Sequence, residues 1–276
     1  MSQMNLKSWF KIIRPVNGFM GLISIYIVGF IDVNFEITRY LRIITLAALS
    51  VFFVTAGGNI INDIKDKDLD KINHPSRPIP SGEISIKSAW IAFIVMFSIG
   101  ILLSIFISIY AVAVVILAEL LLTSYEIKTK NLGLIGNFTV SLLIGFIFIF
   151  GGIVLGTVFK MILLFLLAFF SNVSREIMKD IEDVNGDLNR RTFPRVYGIK
   201  NAKILASFFV ILTVSISILP YYFKVLTIYY VYAVIIDDML FIASMIIMYK
   251  NVSESQQFSK IAMIVGMVSF LVGGIN

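Results

Sequence analysis

Two runs of side-chain oxygen stand out in the chain, and they share one spacing. The first is Asn59-x-x-x-Asp63-x-x-Asp66-x-x-x-Asp70 and the second is Glu176-x-x-x-Asp180-x-x-Asp183-x-x-x-Asp187. The steps are four, three and four in both, and every matched pair lies 117 residues apart. At 100° per residue these steps bring all four side chains within about 60° of one another on a helix face. Asp68 falls on the other side and is expected to be solvated. Of 17 acidic residues, five lie between Asp63 and Glu83 and five between Glu176 and Asp187. Carboxylates crowded on one face repel one another unless a cation lies among them. Oxygen donors without thiolate or imidazole suit hard cations, Mg²⁺ above all. Mg²⁺ keeps few protein carboxylates and completes its shell with water and phosphate oxygens. Two acidic helix ends of this kind predict a clamp for Mg²⁺ and a diphosphate, and the shared spacing predicts an internal repeat.

Other chemistries fail on residue type. Asp66-x-Asp68-x-Asp70 opens like a calcium loop, but Lys71 and Arg77 stand where that loop requires Gly and Glu. Cysteine is absent and His74 is the one histidine, which excludes thiolate sites and argues against imidazole-bound zinc. His74 is expected to be solvated. No Ser/His/Asp or Cys/His set is available, which disfavours covalent catalysis.

The elements that must hold these clusters lie in a bilayer. Hydrophobic residues make up 58% of the 276 and charged residues 14%, with a mean hydropathy of +0.93. A soluble domain carries about 25% charged residues, so a soluble enzyme, a disordered chain and a coiled coil are excluded. A span needs roughly 20 apolar residues. Nine stretches qualify, near Pro15–Ile31, Ile43–Asn62, Ser88–Ser108, Tyr110–Tyr125, Leu134–Gly156, Met161–Ser174, Ile204–Phe223, Leu226–Met248 and Ile261–Ile275. The third and fourth form one long run, divided near Tyr110. The sixth is short unless its helix continues into the polar segment after it. No charged leader and cleavage site precede the first span, so no signal peptide is expected. Met1–Lys11 reads as an amphipathic lead-in. Of the 23 Lys and Arg, 19 fall in the N-terminal segment and the even-numbered loops, which predicts a cytoplasmic N-terminus and a cytoplasmic face for both acidic clusters. The net charge of +6 is then a membrane-orienting charge, with no nucleic-acid partner expected. No linker composition divides the chain, so residues 1–276 are expected to form one membrane domain.

The motifs resemble those of the UbiA superfamily of intramembrane prenyltransferases. Asn62-Asp63-Ile64-Lys65-Asp66-Lys67-Asp68-Leu69-Asp70 is similar to the family's first motif, and Asp180-Ile181-Glu182-Asp183-Val184-Asn185-Gly186-Asp187 to its second. The resemblance covers essentially the whole chain. It implies an all-α, polytopic fold of nine transmembrane helices in a barrel-like bundle, with Mg²⁺ as cofactor and a prenyl diphosphate as donor. It also implies site residues. Asp63, Asp66, Asp70, Asp180, Asp183 and Asp187 become catalytic carboxylates, joined as metal ligands by Asn59 and Glu176. Arg14-Pro15-Val16-Asn17 looks like the family's entry to the first helix, so Arg14 would meet the diphosphate and Asn17 would line its site. A lipid-headgroup anchor is the other reading of Arg14. Arg77-Pro78-Ile79-Pro80-Ser81-Gly82 resembles the loop after the first motif, where Arg77 can bind phosphate bidentately as lysine cannot. Tyr125, with Lys128 or Lys130 and then Gly136-Asn137, resembles the connection between the fourth and fifth helices.

The acceptor divides the family. Arg175 to Asp187 and Arg191-Thr192-Phe193-Pro194 look most like the archaeal branch that alkylates geranylgeranylglyceryl phosphate with geranylgeranyl diphosphate, forming the second ether bond of archaeal lipids. Lys128, Lys130, Arg195, Lys200 and Lys203 could serve a phosphorylated acceptor. Aromatic quinone precursors are the alternative within the family. A cation transporter is the alternative outside it, and its one supporting feature is Asp237-Asp238 in mid-span. Those aspartates must face the interior or break their helix, because a bilayer-centre aspartate costs about 2.5–3.5 kcal/mol. A silent scaffold would leave the paired acidic motifs without a reason. Gly57-Gly58, Gly151-Gly152 and Gly273-Gly274 are read as close-approach points between helices.

Helix-face geometry yields a direct test. Asp63→Ala, Asp70→Ala, Asp183→Ala and Asp187→Ala should each nearly abolish prenyl transfer in a product assay, while Asp68→Ala should leave it near wild type.

Overall fold

The computed structural model describes residues 6–33, 36–185 and 191–275. In chain order the helices are α1 (Leu6–Ile13), α2 (Pro15–Val33), α3 (Ile37–Lys65), α4 (Lys67–Asn73), α5 (Ile86–Ile105), α6 (Ile109–Ile127), α7 (Leu134–Leu155), α8 (Val158–Glu182), α9 (Phe193–Tyr197), α10 (Ile199–Ile216), α11 (Leu219–Tyr222), α12 (Ile228–Met248) and α13 (Val252–Gly273). Among the described residues there is no strand. Among the described residues nine helical segments are long and apolar enough to cross a membrane, with α10 and α11 forming one of them. This is a multi-pass membrane protein.

The expected spans all appear, but several ends move. The long apolar run breaks at 106–108, where the Ser108 hydroxyl accepts from the Ala111 N–H at 3.1 Å and starts α6. The sixth span runs on through Glu182, so its helix does continue into the polar segment. The ninth begins at Val252, nine residues before the expected Ile261. Asn251 caps it by accepting from the Glu254 N–H at 3.2 Å. Polar residues here fill a helix end, which a search for uncharged stretches passes over.

Contacts group the chain into two compact units: Met1–Tyr26 with Arg42–Ile127, and Ile27–Leu41 with Lys128–Asn276. In the first, Ile12 of α1 packs with Ile60 and Ile64 of α3, Ile79 and Ile84 of the following loop, and Ala89 of α5. Lipid tails are as apolar as leucine, so close packing rather than water exclusion holds spanning helices together. Small residues supply that closeness. A Cβ at Gly57 would lie 2.4 Å from the Phe97 ring, and one at Gly100 would lie 2.8 Å from Val54 Cγ2.

In the second unit two buried clusters lie along α8. One joins Met161 and Leu164 to Val28, Phe148, Tyr230 and Phe270. The other joins Ile177 and Met178 to Ala206, Phe241, Met248 and Ala262. The α12–α13 hairpin is tied by Ser244 and Ser255, whose hydroxyls each donate to the other's carbonyl at 2.8 Å. Asp32, which no motif singles out, accepts from Thr157 and from Lys160 (3.1 Å) and so fastens the end of α2 to the start of α8. Asp237 is 7% exposed and faces α13, where a Cβ at Gly266 would lie 2.9 Å from its Oδ2. Asp238 accepts from Ser217 Oγ at 2.8 Å. Helix α12 is continuous through both, so they face the interior of their unit and the helix is not broken.

Gly133, which precedes α7, has φ 59° and ψ −123°, and a Cβ there would lie 2.9 Å from the Arg191 carbonyl oxygen. Gly156 is left-handed at φ 78° but meets nothing within 4 Å. Gly133→Ala should therefore lower the thermal midpoint in detergent more than Gly156→Ala, whose cost is the ~1–2 kcal/mol of a left-handed residue alone.

Candidate functional site

The first acidic motif is built at the end of α3. Pro15 has no N–H and fixes its own φ, so α1 ends at Ile13 and α2 begins at once. Arg14 makes the turn with φ 46°, a left-handed conformation that costs a non-glycine residue about 1–2 kcal/mol. Its side chain explains why that strain is tolerated. The guanidinium pairs with Asp63, whose carboxylate is buried, and also donates to Asn62 Oδ1 at 3.3 Å. Asn59 supports the turn, its Nδ2 donating to the Ile13 carbonyl at 3.0 Å. Asn17 is exposed on the first turn of α2, and its backbone N–H closes onto the Arg14 carbonyl at 3.0 Å.

Asp70 is equally buried, and Arg77 pairs with it at 2.6 Å while lying 3.9 Å from Asp63. One guanidinium thus spans both aspartates. The loop that carries Arg77 is rigid for local reasons. Its turns close through Ser81 N–H to the Arg77 carbonyl (3.0 Å) and Ile84 N–H to the Pro78 carbonyl (2.9 Å). Helix α1 holds it from outside, with Ser8 donating to Glu83 and Lys11 to the Ser76 carbonyl. Asp68 is exposed and pairs only loosely with Lys71 at 3.2 Å, and His74 is exposed too. Both agree with the sequence reading.

The expected continuous helix through Asp70 is corrected here. The α-helix breaks at Asp66, with φ −85° and ψ 3°, before α4 restarts. In the second motif α8 ends at Asp183, with φ −82° and ψ 0°, and passes into a short 3₁₀ turn. The two breaks occupy the same position of each motif and have the same backbone conformation, in a sparsely populated region common at active-site residues. Phe106 and Phe223 end their helices in the same conformation, so it is a common way for these helices to stop.

In the second unit Asn137 donates to Asp180 Oδ2 at 2.9 Å, which fastens the start of α7 to the second motif. Glu176 is buried and accepts from Arg175 at 3.3 Å, with Lys179 Nζ 3.6 Å away. Asp183 is exposed. Asp187 lies outside the described residues. Tyr125 sits half-buried in the last turns of α6. Lys128 is exposed and Lys130 is half-buried in a short 3₁₀ turn before α7.

These residues fit Mg²⁺ with a diphosphate better than Mg²⁺ alone. Every acidic donor is a hard oxygen, and among the described residues no three of them converge to enclose an ion. That suits a cation that takes one or two carboxylates and finds its other ligands in phosphate and water. One buried residue escaped the sequence reading. Glu126, 9% exposed in the last turn of α6, accepts from Asn62 Nδ2 at 3.0 and 3.2 Å. Its nearness to the motif depends on a contact across 64 residues, which no local pattern announces. A transport site built on interrupted helices finds no support in α12, the unbroken helix of Asp237-Asp238.

Comparison with known proteins places this geometry. The sequence profile of the UbiA prenyltransferase family matches residues 22–267. The digeranylgeranylglyceryl phosphate synthase of Methanosphaera stadtmanae is 36% identical over 98% of this chain and 100% of its own length. A solved structure concerned with digeranylgeranylglyceryl phosphate synthase in membranes is 38% identical, with a TM-score of 0.81 over 98% of both chains. A UbiA homologue from Archaeoglobus fulgidus, solved with GPP and Mg²⁺, is 17% identical, with a TM-score of 0.62 over 95% of this chain and 99% of its own. That last likeness is one of fold.

The paired charges make a stability prediction independent of turnover. Arg77→Met leaves Asp70 buried without its guanidinium and should cost about 1–3 kcal/mol, less than a fully buried pair because Arg77 is 28% exposed. Adding Asp70→Asn should restore part of the loss. Thermal unfolding in detergent measures both.

Proposed function

The chain belongs to the UbiA prenyltransferase family, and from that premise we propose that it transfers a geranylgeranyl group from geranylgeranyl diphosphate to geranylgeranylglyceryl phosphate. The product carries the second ether bond of an archaeal membrane lipid. What carries the choice of substrates is the end-to-end likeness to relatives that bear this activity in their name. The acidic motifs supply the chemistry.

The residues divide the work by charge. Arg14 and Arg77 hold guanidinium groups at the buried carboxylates of the first motif, and both can turn their planar forks to the donor's diphosphate oxygens. Asp63, Asp66 and Asp70 in the first motif, and Asp180, Asp183 and Asp187 in the second, are each motif's carboxylates for Mg²⁺, and Asn59 and Glu176 add an oxygen of the same hard type to their own motif. Bound Mg²⁺ neutralises the negative charge that develops on the leaving diphosphate. The bond between C1 and the diphosphate oxygen breaks, its electron pair leaves with pyrophosphate, and an allylic cation remains. The two arginines donate to the leaving oxygens as their charge grows. The glycerol hydroxyl of the acceptor then attacks C1, and its proton passes to a carboxylate or to pyrophosphate. The apolar helices keep water from capturing the cation as an alcohol. Asn17 and Tyr125 line the donor site, and Lys128 or Lys130 meets its phosphates.

A cytoplasmic N-terminus and active face follow the distribution of basic residues, 19 of 23 of which lie on that side. A phosphorylated acceptor brings about two negative charges beside a diphosphate. Lys128, Lys130, Arg195, Lys200 and Lys203 are the cations proposed to meet that charge.

Purified protein with Mg²⁺, geranylgeranyl diphosphate and geranylgeranylglyceryl phosphate should release pyrophosphate, and EDTA should stop it. Changing each of the five cations to Met should leave donor ionisation largely intact, while at least one change raises the acceptor KM roughly tenfold. Efficient use of 4-hydroxybenzoate or dihydroxynaphthoate by the wild type would replace the lipid acceptor with an aromatic one. Unchanged KM in all five variants would remove the cations from acceptor binding.

A further inference from the structure

Glu126 occupies a place that local structure disfavours. It is an acid in the last turn of α6, at the negative end of the helix dipole, where a carboxylate weakens the helix. It is also buried, and buried carboxylates need partners. One partner is the side-chain amide of Asn62, which sends Nδ2 to both carboxylate oxygens at 3.0 and 3.2 Å. The same amide presents Oδ1 to Arg14 at 3.3 Å, and Arg14 pairs with Asp63.

The order of donors and acceptors along this chain is forced. An ionised carboxylate only accepts and a guanidinium only donates, while an amide does one at each end. With Glu126 on one side, Asn62 must turn its NH₂ toward α6 and its oxygen toward Arg14. Without Glu126 the amide can reverse, and its NH₂ would then face the guanidinium, donor against donor. Arg14 already pairs with the buried Asp63, and the Asn62 oxygen at 3.3 Å is the second contact that fixes the direction of its guanidinium. We propose that Glu126 is a positioning residue: through the Asn62 amide it sets the guanidinium of Arg14 against Asp63, and so prepares the first motif for Mg²⁺ and diphosphate. This rests on the reading of that motif as a diphosphate-binding site.

The test uses the full chain in detergent, titrated calorimetrically with inorganic pyrophosphate in the presence of Mg²⁺. Glu126→Ala should weaken binding about tenfold, the scale of a lost hydrogen bond to a charged group. Glu126→Gln keeps one acceptor oxygen and should lose less. Both should unfold near the wild-type temperature. In an Asn62→Leu background, which removes the intermediary, Glu126→Ala should add less than about twofold, since residues acting through one contact are not additive. Wild-type affinity in Glu126→Ala would overturn the proposal. So would an undiminished tenfold loss on top of Asn62→Leu, or a loss in both variants matched by a fall in thermal midpoint. A wild type that binds no pyrophosphate with Mg²⁺ would bring down the diphosphate reading and the proposal together, whereas a binding wild type with an indifferent Glu126→Ala would remove the proposal alone.

Discussion

Two aspartates buried on either side of a helix break cannot stand alone. Asp63 and Asp70 are 2% and 3% exposed, and removing a carboxylate from water without a partner costs several kcal/mol. Arg14 and Arg77 meet that requirement, and much of the first unit exists to deliver them. Arg14 arrives through a left-handed turn between α1 and α2. Arg77 arrives on a loop whose isoleucines are packed under α1. The amphipathic helix, the proline after Arg14 and the turns after α4 are therefore parts of one electrostatic solution. The cations that balance these carboxylates come from their own unit, so simple repulsion between carboxylates overstates the tension in the motif.

The sequence made the spacing of both motifs, the number of spans and the division near Tyr110 legible, because apolar runs and 4-3-4 steps are local quantities. The contacts that tie the motifs to their surroundings were not legible. Glu126 reaches Asn62 across 64 residues and Asn137 reaches Asp180 across 43, and neither pair is marked by a local pattern. The Arg14 reading was open between headgroup anchor and site residue, and a single ion pair to a buried aspartate favours the site. Helix ends were least legible. The start of α13 was displaced by nine residues because polar residues in a capped first turn look like loop. The helix through the first motif was expected to be unbroken, yet Asp66 interrupts it.

That interruption changes how the motif is understood. A straight helix would have arranged the aspartates by periodicity alone. Instead Asp66 and Asp183 each end a long helix in nearly identical backbone conformations, so the spacing encodes a turn as well as a face. Asp63 stays with α3 while Asp70 belongs to α4, and Arg77 bridges them from the loop. In the second unit Asn137 donates to Asp180 and Arg175 to Glu176, while in the first Arg14, from the turn after α1, meets Asp63 and Arg77, from the loop, meets Asp70.

Arg14 is at once the joint between two helices and the cation nearest Asp63. One residue of left-handed backbone separates α1, with Leu6 and Phe10 turned outward, from the first spanning helix. There is no slack at such a joint. Any turn of α1 relative to α2 is a rotation about the same bonds that aim the guanidinium, so the packing of Ile12 against α3 also holds the charge at Asp63 in place.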